Sequence, residues 1–521
     1  MTAATATSKL PDRAHRRVLL LGSVFLVAAC GLGYELIAGA VSSYLIGDPV
    51  TQFSLVVGAF LSAMGLGAYL SKHVRRDLLG TFVELEIAVG LVGGASSILI
   101  FATSVYLDAA FDVVFYGLCV AIGAMVGAEI PLLVRVLQRD GRDLREALGN
   151  TLALDYLGAL AGAVAVPLLA LPYLGISRVS VVFGLLNLGA AGVGISLLDG
   201  KRRGAKIRLG VATAVLAGLL AASPAMVGFL EDQLYDDDIV YAQSSAHQRI
   251  VLTRFRGDLR LYLNGHIQFS SIDEERYHEA LVMPAMEAAG QPRSVLLLGG
   301  GDGLAAREVL AYPSVESVTV VDLDPAMTRL GRERDELVRL NRGALNDARV
   351  SIVNADALTF LRDDDGFYDV ILADLPDPSS AGLARLYSRE LYDAALRRLS
   401  ARGAFATHAT SPFFARRAFW SVVTTLEAAA EADVEGTPAR VVRPYHVHVP
   451  SFGEWGFAVA TPADRDPTDR TPSVEAGFLN EDAWRAMFAF GNDLARPPGL
   501  VPNELSAPTL HEAYREGWQS Y

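Results

Sequence analysis

Five aspartates follow predicted β-strands in the second half of the chain, and their placement indicates a binding site for a cation. They are Asp302, Asp322, Asp356, Asp374 and Asp377. In an open parallel sheet the ligand sits beyond the carboxyl ends of the strands. One aspartate there is an ordinary turn or capping residue. Several at one edge predict an acidic cleft that attracts a positive ligand and can hold a general base.

The stretch SVLLLGGGDGLAAREVL, from Ser294 to Leu310, is typical of a strand, a glycine turn and the start of a nucleotide-binding helix. Gly299 and Gly301 belong to the turn, and Asp302 stands where a phosphate would rest on backbone N–H groups. Its charge would repel the pyrophosphate of NAD or FAD. Asp322 lies about 20 residues later, a spacing that suits a carboxylate accepting from ribose hydroxyls. The pattern therefore favours a cationic nucleoside over a phosphorylated one.

The sequence DLPDP supplies two carboxylates three residues apart, Asp374 and Asp377. Crowding in an acidic pocket raises the pKa of at least one carboxyl group, which suits a base acting near neutral pH. The same charges would bind a diamine or polyamine. The sequence YHE, starting at Tyr277, can bring polar groups across the cleft from the preceding helix; the alternative for His278 is an exposed position on the helix surface.

Alternating strands and helices position these residues. Five predicted strands are separated by helical stretches, which implies a parallel sheet covered by helices. The strands are SVLLLG, VESVTVVDLD, RVSIVNAD, YDVILADLPDP and GAFATHAT. Before them, RIVLTRF and LRLYLNGHIQF alternate like antiparallel strands, with turns at Arg256-Gly257 and Asn264-Gly265. Ser271 is the predicted N-cap of the next helix. After them, ARVVRPYHVHVPSFGEWGFAVATP predicts a β-hairpin at the sheet edge.

The first part of the chain, to about residue 230, is far more apolar than the rest. It contains about seven stretches near the length of roughly 20 residues that crosses a bilayer, and the series is too repeated for a cleaved signal peptide. The predicted fold class is a multi-pass α-helical membrane domain, then a small β domain and an α/β Rossmann-like domain of the methyltransferase type. The predicted boundaries are 1–16 for an N-terminal tail, 17–230 for the membrane domain, 231–270 for the β domain, 271–460 for the Rossmann-like domain and 461–521 for a linker with a helical tail.

Composition excludes several other classes of protein. The formal net charge of −13 argues against a nucleic-acid partner. The two cysteines, Cys30 and Cys119, both fall in predicted membrane spans, and no Cys/His spacing indicates a zinc site. We therefore expect neither a disulfide framework nor a metal.

The segments LYLNGHIQFSSIDEERYHE, VLLLGGGDG, YDVILADLPDP and LYSRELY together resemble the spermidine synthase family, also called polyamine aminopropyltransferases. The resemblance covers about residues 238–460, and the whole arrangement, with the tail YREGW, is similar to the membrane-fused branch of that family. It implies an enzyme that passes an aminopropyl group from decarboxylated S-adenosylmethionine, a co-substrate, to putrescine or a related polyamine, giving spermidine and methylthioadenosine. It also implies a homo-oligomer that uses no metal and no further cofactor.

The resemblance implies a nucleoside-binding role for one set of positions. Gln248 and Asp322 would hold the methylthioadenosine part, and Asp356 with Ala357 would hold the adenine. The glycine turn would pass beside them.

A second set of positions would bind and activate the amine. Asp302 would bind amine groups, and Tyr277 and His278 would line the polyamine channel. Asp374 would be the general base and Asp377 a second amine anchor. The attacking amine has a pKa of about 10, so it must lose a proton, whereas the sulfonium is already a good leaving group.

Three departures from the family pattern leave the acceptor open. Leu375 and Pro376 replace the hydroxyl residues usual between the two aspartates, the shorter Asp322 replaces the glutamate usual at the ribose, and Ala381 replaces a usual proline.

Two alternative functions also remain at this point. One is an S-adenosylmethionine-dependent methyltransferase, although a dense acidic cleft disfavours the carboxylate of that nucleoside. The other is a polyamine transporter or sensor with a non-catalytic binding domain.

Charge around the apolar stretches predicts a multi-pass protein of the cell membrane. Lys and Arg cluster in RAHRR, KHVRR, RVLQRDGRDLRE and KRRGAKIR, which the positive-inside rule places in the cytoplasm. A seventh span would then put the site outside, whereas a nucleoside substrate favours a cytoplasmic site. The predicted spans also carry carboxyl groups without evident basic partners, which either line a path for polyamine cations or are protonated between helices. They belong to Glu35, Glu84, Glu86, Glu129 and Asp155.

Overall fold

The computed structural model describes residues 13–46, 49–107, 110–139, 143–198, 202–235, 237–245, 247–431 and 440–519. The chain divides into two compact units, Met1–Asp236 and Asp237–Tyr521. Most of the predicted N-terminal tail, residues 1–12, lies outside the described residues, as do parts of the basic loops near Asp140 and Lys201.

The first unit consists of long apolar helices that pack closely through small residues. A Cβ on Gly67 or Gly127 would meet the backbone of the facing helix, so these glycines allow the second and fourth helices to touch. A π-helical turn, Val166–Ala170, joins the fifth and sixth helices. The helices are α1 (Arg13–Ile46), α2 (Pro49–Ser71), α3 (Leu78–Tyr106), α4 (Phe111–Arg139), α5 (Leu144–Ala165), α6 (Leu171–Leu174), α7 (Ile176–Leu197) and α8 (Arg203–Leu234).

Seven helices among the described residues are long and apolar enough to cross a membrane, as the hydrophobic stretches predicted. This statement is based on the length and composition of the helices alone. The last of them, within α8, is the least apolar of the seven and begins with several basic residues.

The second unit opens with a small antiparallel sheet. Its strands are β1 (Asp238–Ser244), β2 (Arg249–Phe255), β3 (Asp258–Leu263) and β4 (His266–Ser270), in that order. Both predicted turns are confirmed, because Arg256, Gly257, Asn264 and Gly265 all have positive φ. The four strands belong to the same compact unit as the α/β fold that follows.

A seven-stranded sheet forms the centre of the second unit, in the order β10-β11-β9-β8-β5-β6-β7. Strands β5 to β9 are parallel, and β10 and β11 form the predicted antiparallel hairpin at the edge, paired through β11 to β9. The strands are β5 (Ser294–Gly299), β6 (Ser317–Val321), β7 (Val350–Val353), β8 (Tyr368–Asp374), β9 (Leu399–His408), β10 (Arg440–Val449) and β11 (Gly453–Pro462). This is the predicted Rossmann-like arrangement.

Apolar side chains on both faces of the sheet explain why helices cover it on both sides. Along β5, Leu297 packs into one buried cluster, whereas Leu296 and Leu298 pack into another. The covering helices are α9 (Glu274–Ala289), α10 (Leu304–Leu310), α11 (Pro325–Glu333), α12 (Asp335–Leu340), α13 (Ala357–Asp363), α14 (Ala381–Ala384), α15 (Arg389–Arg397), α16 (Arg416–Ala430), α17 (Glu481–Met487) and α18 (Leu510–Trp518).

One detail differs from the sequence-based expectation, and a second one adds to it. The N-cap of α9 is Asp273, not Ser271, because the hydroxyl of Ser271 is engaged with the β3 segment, accepting from the Leu259 amide at 2.8 Å and donating to Asp258. The predicted helical tail is also part of the folded core: Trp484 of α17 is fully buried.

Candidate active site

All the site residues predicted from the sequence line one cavity of about 270 Å³ beyond the carboxyl ends of the parallel strands. The β3–β4 hairpin and the aromatic residues Phe452 and Trp455 line it as well. The predicted residues that the structure brings together are Gln248, Tyr277, His278, Gly299, Gly301, Asp302, Asp322, Asp356, Ala357, Asp374 and Asp377.

The glycine turn after β5 forms because its backbone adopts conformations that other residues avoid. Gly299 has φ +86° and lies against the carbonyl oxygen of Asp374, so a Cβ there would collide with the next strand. Asp302 accepts a hydrogen bond from the Leu304 amide at 2.9 Å and is almost fully buried. Burial raises the pKa of Asp302 to about 6; the charge of His278 opposes that rise and the charge of Asp374 adds to it.

Asp322 binds the turn from the neighbouring strand. Its carboxylate accepts from the amide of Gly301 at 3.0 Å and from the amide of Asp324 at 2.8 Å. Burial raises the pKa of Asp322 to about 6 despite these two hydrogen bonds. Gln248 donates to Asp324 at 3.0 Å, so the loop before β2 is tied to the same corner.

Asp356 differs from the other four aspartates because it forms an ion pair with an arginine. Its Oδ1 caps α13 by accepting from the Thr359 amide at 3.0 Å, and its Oδ2 pairs with Arg385 at 2.5 Å. Ala357 lies beside it in the wall of the cavity. The expectation of an acidic cleft is therefore corrected at this strand, where the charge is compensated.

Asp374, the last residue of β8, is held by a tyrosine from α9. The hydroxyl of Tyr277 donates to Oδ1 of Asp374 at 2.8 Å. Tyr277 is buried, and burial together with the charge of Asp374 raises the pKa of its hydroxyl well above the usual value. Tyr277 therefore stays protonated and fixes the carboxylate toward the cavity.

His278 is buried, so the alternative of a surface helix histidine is wrong. Its Nδ1 lies 2.9 Å from Oε2 of Glu274, which in turn accepts from Arg307 through both oxygens at 2.6 and 2.9 Å. Burial disfavours the imidazolium, but the hydrogen bond and charge of Glu274, aided by Asp302, raise the pKa of His278 to about 9. A positive imidazolium thus stands beside the acidic groups at neutral pH.

Asp377 lies at the opposite end of DLPDP, near residues that the sequence analysis did not single out. Its Oδ2 accepts from the Tyr514 hydroxyl at 3.1 Å, and its Oδ1 lies 3.8 Å from Nδ1 of His408. Burial raises the pKa of Asp377 above its usual value. Oδ1 of Asp377 and Nδ1 of His408 are both buried, and neither has a hydrogen-bond partner among the described residues.

Backbone contacts hold the residues that depart from the family pattern. The hydroxyl of Tyr387 donates to the carbonyl groups of Leu375 and Pro376 at 3.2 and 3.0 Å, and it lies 2.7 Å from Nε2 of His408. Tyr387, just before α15, and His408, at the end of β9, thus hold the backbone conformation of DLPDP. His408 ends a parallel strand like the predicted acids, so the strand-end pattern could have found it.

No group of three or more His, Cys, Asp or Glu side chains in the described part of the chain is arranged to hold a metal ion. The cavity instead offers carboxylates, one imidazolium, hydroxyl groups and aromatic walls. That set can bind a cation, hold a nucleoside and accept a proton.

Comparison with known proteins gives consistent results. The family model described as the spermine/spermidine synthase domain matches residues 274–468. Polyamine aminopropyltransferase 2 from Ralstonia nicotianae is 45% identical over 96% of this chain and 98% of its own length. A polyamine aminopropyltransferase from Leptospira interrogans is 39% identical over 95% of this chain and 98% of its own length. One from Mycobacterium tuberculosis is 40% identical over 96% of this chain and 97% of its own length.

Among solved structures, a spermidine synthase in complex with the transition state analogue AdoDATO is 27% identical. The match covers 49% of this chain and 86% of that chain, with a TM-score of 0.44.

Proposed function

Because the chain belongs to the polyamine aminopropyltransferase family, we propose that this cavity transfers the aminopropyl group of decarboxylated S-adenosylmethionine to putrescine. The chain is an aminopropyltransferase; the identity of the acceptor and the role of each residue are the proposal. The observation that carries it is Asp374, fixed by Tyr277 in a cavity lined by further carboxylates.

In the reaction, the neutral amine nitrogen attacks the aminopropyl carbon attached to sulfur. The new C–N bond forms as the C–S bond breaks, and methylthioadenosine leaves with the electron pair. Asp374 accepts the proton that the ammonium group of the acceptor must lose. Tyr277 keeps one oxygen of Asp374 hydrogen-bonded, so the other faces the amine. Positioning and proton removal are sufficient, since the sulfonium needs no acid to leave.

The remaining groups divide into a nucleoside end and an amine end. Asp322 and Gln248 hold the methylthioadenosine part, while Asp356 and Ala357 hold the adenine. The glycine turn, with Gly299 and Gly301, passes beside the sulfur.

At the amine end, Asp302 binds the ammonium of the aminopropyl group, and Asp377 binds the far ammonium of the acceptor. His278 lines the channel, and its positive charge stabilises the carboxylate of Asp302. The three acidic side chains around the reacting atoms, Asp302, Asp374 and Asp377, disfavour S-adenosylmethionine because they would face its carboxylate. The methyltransferase alternative therefore has less support.

The experiment that tests this proposal is a substrate panel. Purified protein is given decarboxylated S-adenosylmethionine or S-adenosylmethionine with putrescine, spermidine, cadaverine or no amine, and products are identified by mass spectrometry. We expect equal amounts of methylthioadenosine and spermidine, formed only with the decarboxylated nucleoside and putrescine. Methyl transfer, or binding of polyamine without any product, would contradict the proposal and support one of the two alternatives.

For the helical unit we propose a multi-pass location in the cell membrane, with the catalytic unit in the cytoplasm. The seven apolar helices and the alternating basic loops support it. An even number of spans is needed, so α8, the least apolar of the seven helices, would lie at the interface. Protease digestion of sealed vesicles of both orientations tests the side of the membrane on which the catalytic unit lies. We expect the catalytic unit to be protected from the protease in right-side-out vesicles alone.

We also propose a homo-oligomer, as in the family, which light scattering of the solubilised protein tests.

A further inference from the structure

Two carboxyl groups in the described part of the helical unit are buried without an ion-pair partner. We propose that Glu86 and Glu129 form a second polyamine site, in which the ammonium group of a polyamine enters as a proton leaves. The proposal rests on the proposed function only for the identity of the ligand. It assigns a binding activity to the unit whose described residues line no part of the catalytic cavity.

The two acids lie side by side on neighbouring helices. Glu86 of α3 and Glu129 of α4 have carboxyl groups within hydrogen-bonding reach of each other, and both side chains are buried. Within the described side chains, neither oxygen of Glu86 nor Oε1 of Glu129 has a hydrogen-bond donor. Two adjacent carboxylates cannot both be charged in such a place unless a cation lies between them. The pair therefore holds either a proton or a cation.

An independent polar group faces the same place. The ring of Tyr34, on α1, packs on Gly93, where a Cβ would lie 2.5 Å from its Cζ. Gly93 is about two turns beyond Glu86 on the same face of α3. The hydroxyl of Tyr34 is buried, has no hydrogen-bond partner among the described residues, and lies within electrostatic range of both Glu86 and Glu129. An unpartnered hydroxyl beside two unpartnered carboxyl groups is the composition of an open binding site.

A fourth polar group lies at the same level of the bundle. Helix α7 packs against α3 through Gly184, which faces Gly90, and through Gly194, which faces Val83. Glu86 lies between these two contacts on α3, and Asn187 lies between them on α7. The amide of Asn187 is buried, and neither its nitrogen nor its oxygen has a partner in the described part of the chain. The groups on α1, α3 and α4 thus lie within electrostatic range of one another, and α7 adds a buried amide between its two contacts with α3.

A partly exposed carboxyl group leads to these polar groups. Asp155 of α5 is half-buried and lies within electrostatic range of Glu129. Burial increases along the series, from the half-buried Asp155 to the fully buried Glu129 and Glu86. The series offers an entering cation a carboxyl group at each step.

The chemistry of the groups favours an ammonium ion. A primary ammonium has three N–H donors, and the two carboxyl groups and the phenol oxygen of Tyr34 offer it acceptors. No group of three His, Cys, Asp or Glu side chains suited to a metal occurs among the described residues. Binding exchanges one proton of the carboxyl pair for one ammonium group, and no covalent bond of the polyamine changes.

Glu84 provides a matched control on the same helix. It is exposed and pairs with Arg208 of α8, so the expectation that this carboxyl group has no basic partner is wrong. Glu84→Gln makes the same chemical change as Glu86→Gln, two residues away, but outside the proposed site.

The test is equilibrium binding of labelled spermidine to the full chain in detergent, with proton release followed in weak buffer. We expect two polyamines bound per chain for the unmodified protein and for Glu84→Gln. We expect one for Glu86→Gln and Glu129→Gln, because loss of a charge-assisted hydrogen bond weakens the second site by about tenfold or more. Aminopropyl transfer by all three variants should be unchanged, which also shows that they are folded.

Tyr34→Phe keeps the proposal testable if the charge-removing variants do not fold. It removes one hydroxyl and should weaken the second site several-fold while transfer continues. Two polyamines bound by every variant would overturn the proposal, as would proton release by Na⁺ or K⁺ but not by spermidine. A missing second site with normal transfer in the unmodified protein would overturn this inference alone. A second site without transfer would contradict only the proposed function.

Discussion

The hydroxyl of Tyr514 donates a hydrogen bond to Oδ2 of Asp377 at 3.1 Å, across 137 positions of sequence. Tyr514 belongs to α18, whose Trp518 stacks on Phe414 with ring centroids 4.9 Å apart and packs near Trp455 in the cavity wall. The C-terminal helix therefore reaches the amine end of the cavity. It holds the carboxylate that we propose as the anchor of the acceptor.

Replacing Tyr514 by Phe should weaken binding of the acceptor amine more than binding of the nucleoside. The loss of one hydrogen bond to a carboxylate lets Asp377 move, and we expect KM for putrescine to rise about tenfold. KM for decarboxylated S-adenosylmethionine should stay within about twofold of its original value. Tyr241→Phe, the same change on β1 and outside the cavity lining, is the control. Equal changes in both KM values would mean that Tyr514 serves only the fold.

Asp302→Asn should distinguish the two nucleosides. Only decarboxylated S-adenosylmethionine carries an ammonium and a sulfonium, so its binding should weaken by about tenfold or more relative to that of methylthioadenosine. Calorimetric titration of both ligands measures the difference. The same loss for both would show that Asp302 only shapes the turn, where it accepts from the Leu304 amide.

Binding of the cationic nucleoside should strengthen as pH rises from about 5 to about 7.5. The pKa of Asp302 and that of Asp322 are both about 6, so these carboxyl groups are neutral below that pH and charged above it. A cation binds the charged form, and each carboxyl group contributes up to about tenfold per pH unit below its pKa. Asp302→Asn should flatten the profile. A Kd independent of pH over this range would show that neither carboxyl group titrates there.

Gly299→Ala should abolish transfer and lower the unfolding temperature. The Cβ would collide with the carbonyl of Asp374, in addition to the cost of about 1–2 kcal/mol for a left-handed backbone. Gly257→Ala is the matched control, because Gly257 also has positive φ, at +95°, but has open space around it. It should lower the unfolding temperature less and leave transfer intact. Similar thermal shifts would mean that the contact with Asp374 carries no cost.

The acids at the strand ends could be predicted because they depend on local patterns. Alternating strands and helices set the sheet, and the sheet brings the residues after its strands to one edge; Asp302, Asp322 and Asp374 follow from that rule. The partners of these acids could not be predicted in the same way. The pairing of Asp356 with Arg385 and the network from Arg307 through Glu274 to His278 depend on how loops and helices pack. No local pattern encodes such distances.

The same limit applies to the helical unit. Hydropathy identified its helices, and each of the five predicted carboxyl groups lies on one. It could not show that Glu84 faces outward to Arg208 while Glu86, two residues on, faces the centre. That difference depends on which neighbours each face of α3 meets.

The central claim is that Asp374 removes the proton from the attacking amine, and the most direct measurement is methylthioadenosine formation by Asp374→Asn. Loss of a general base costs about 10²–10⁴-fold, so kcat should fall by that factor. Binding of methylthioadenosine, measured on the same preparation, should be retained, since the nucleoside contacts lie elsewhere in the cavity. A variant that turns over within a few-fold of the unmodified protein would contradict the account.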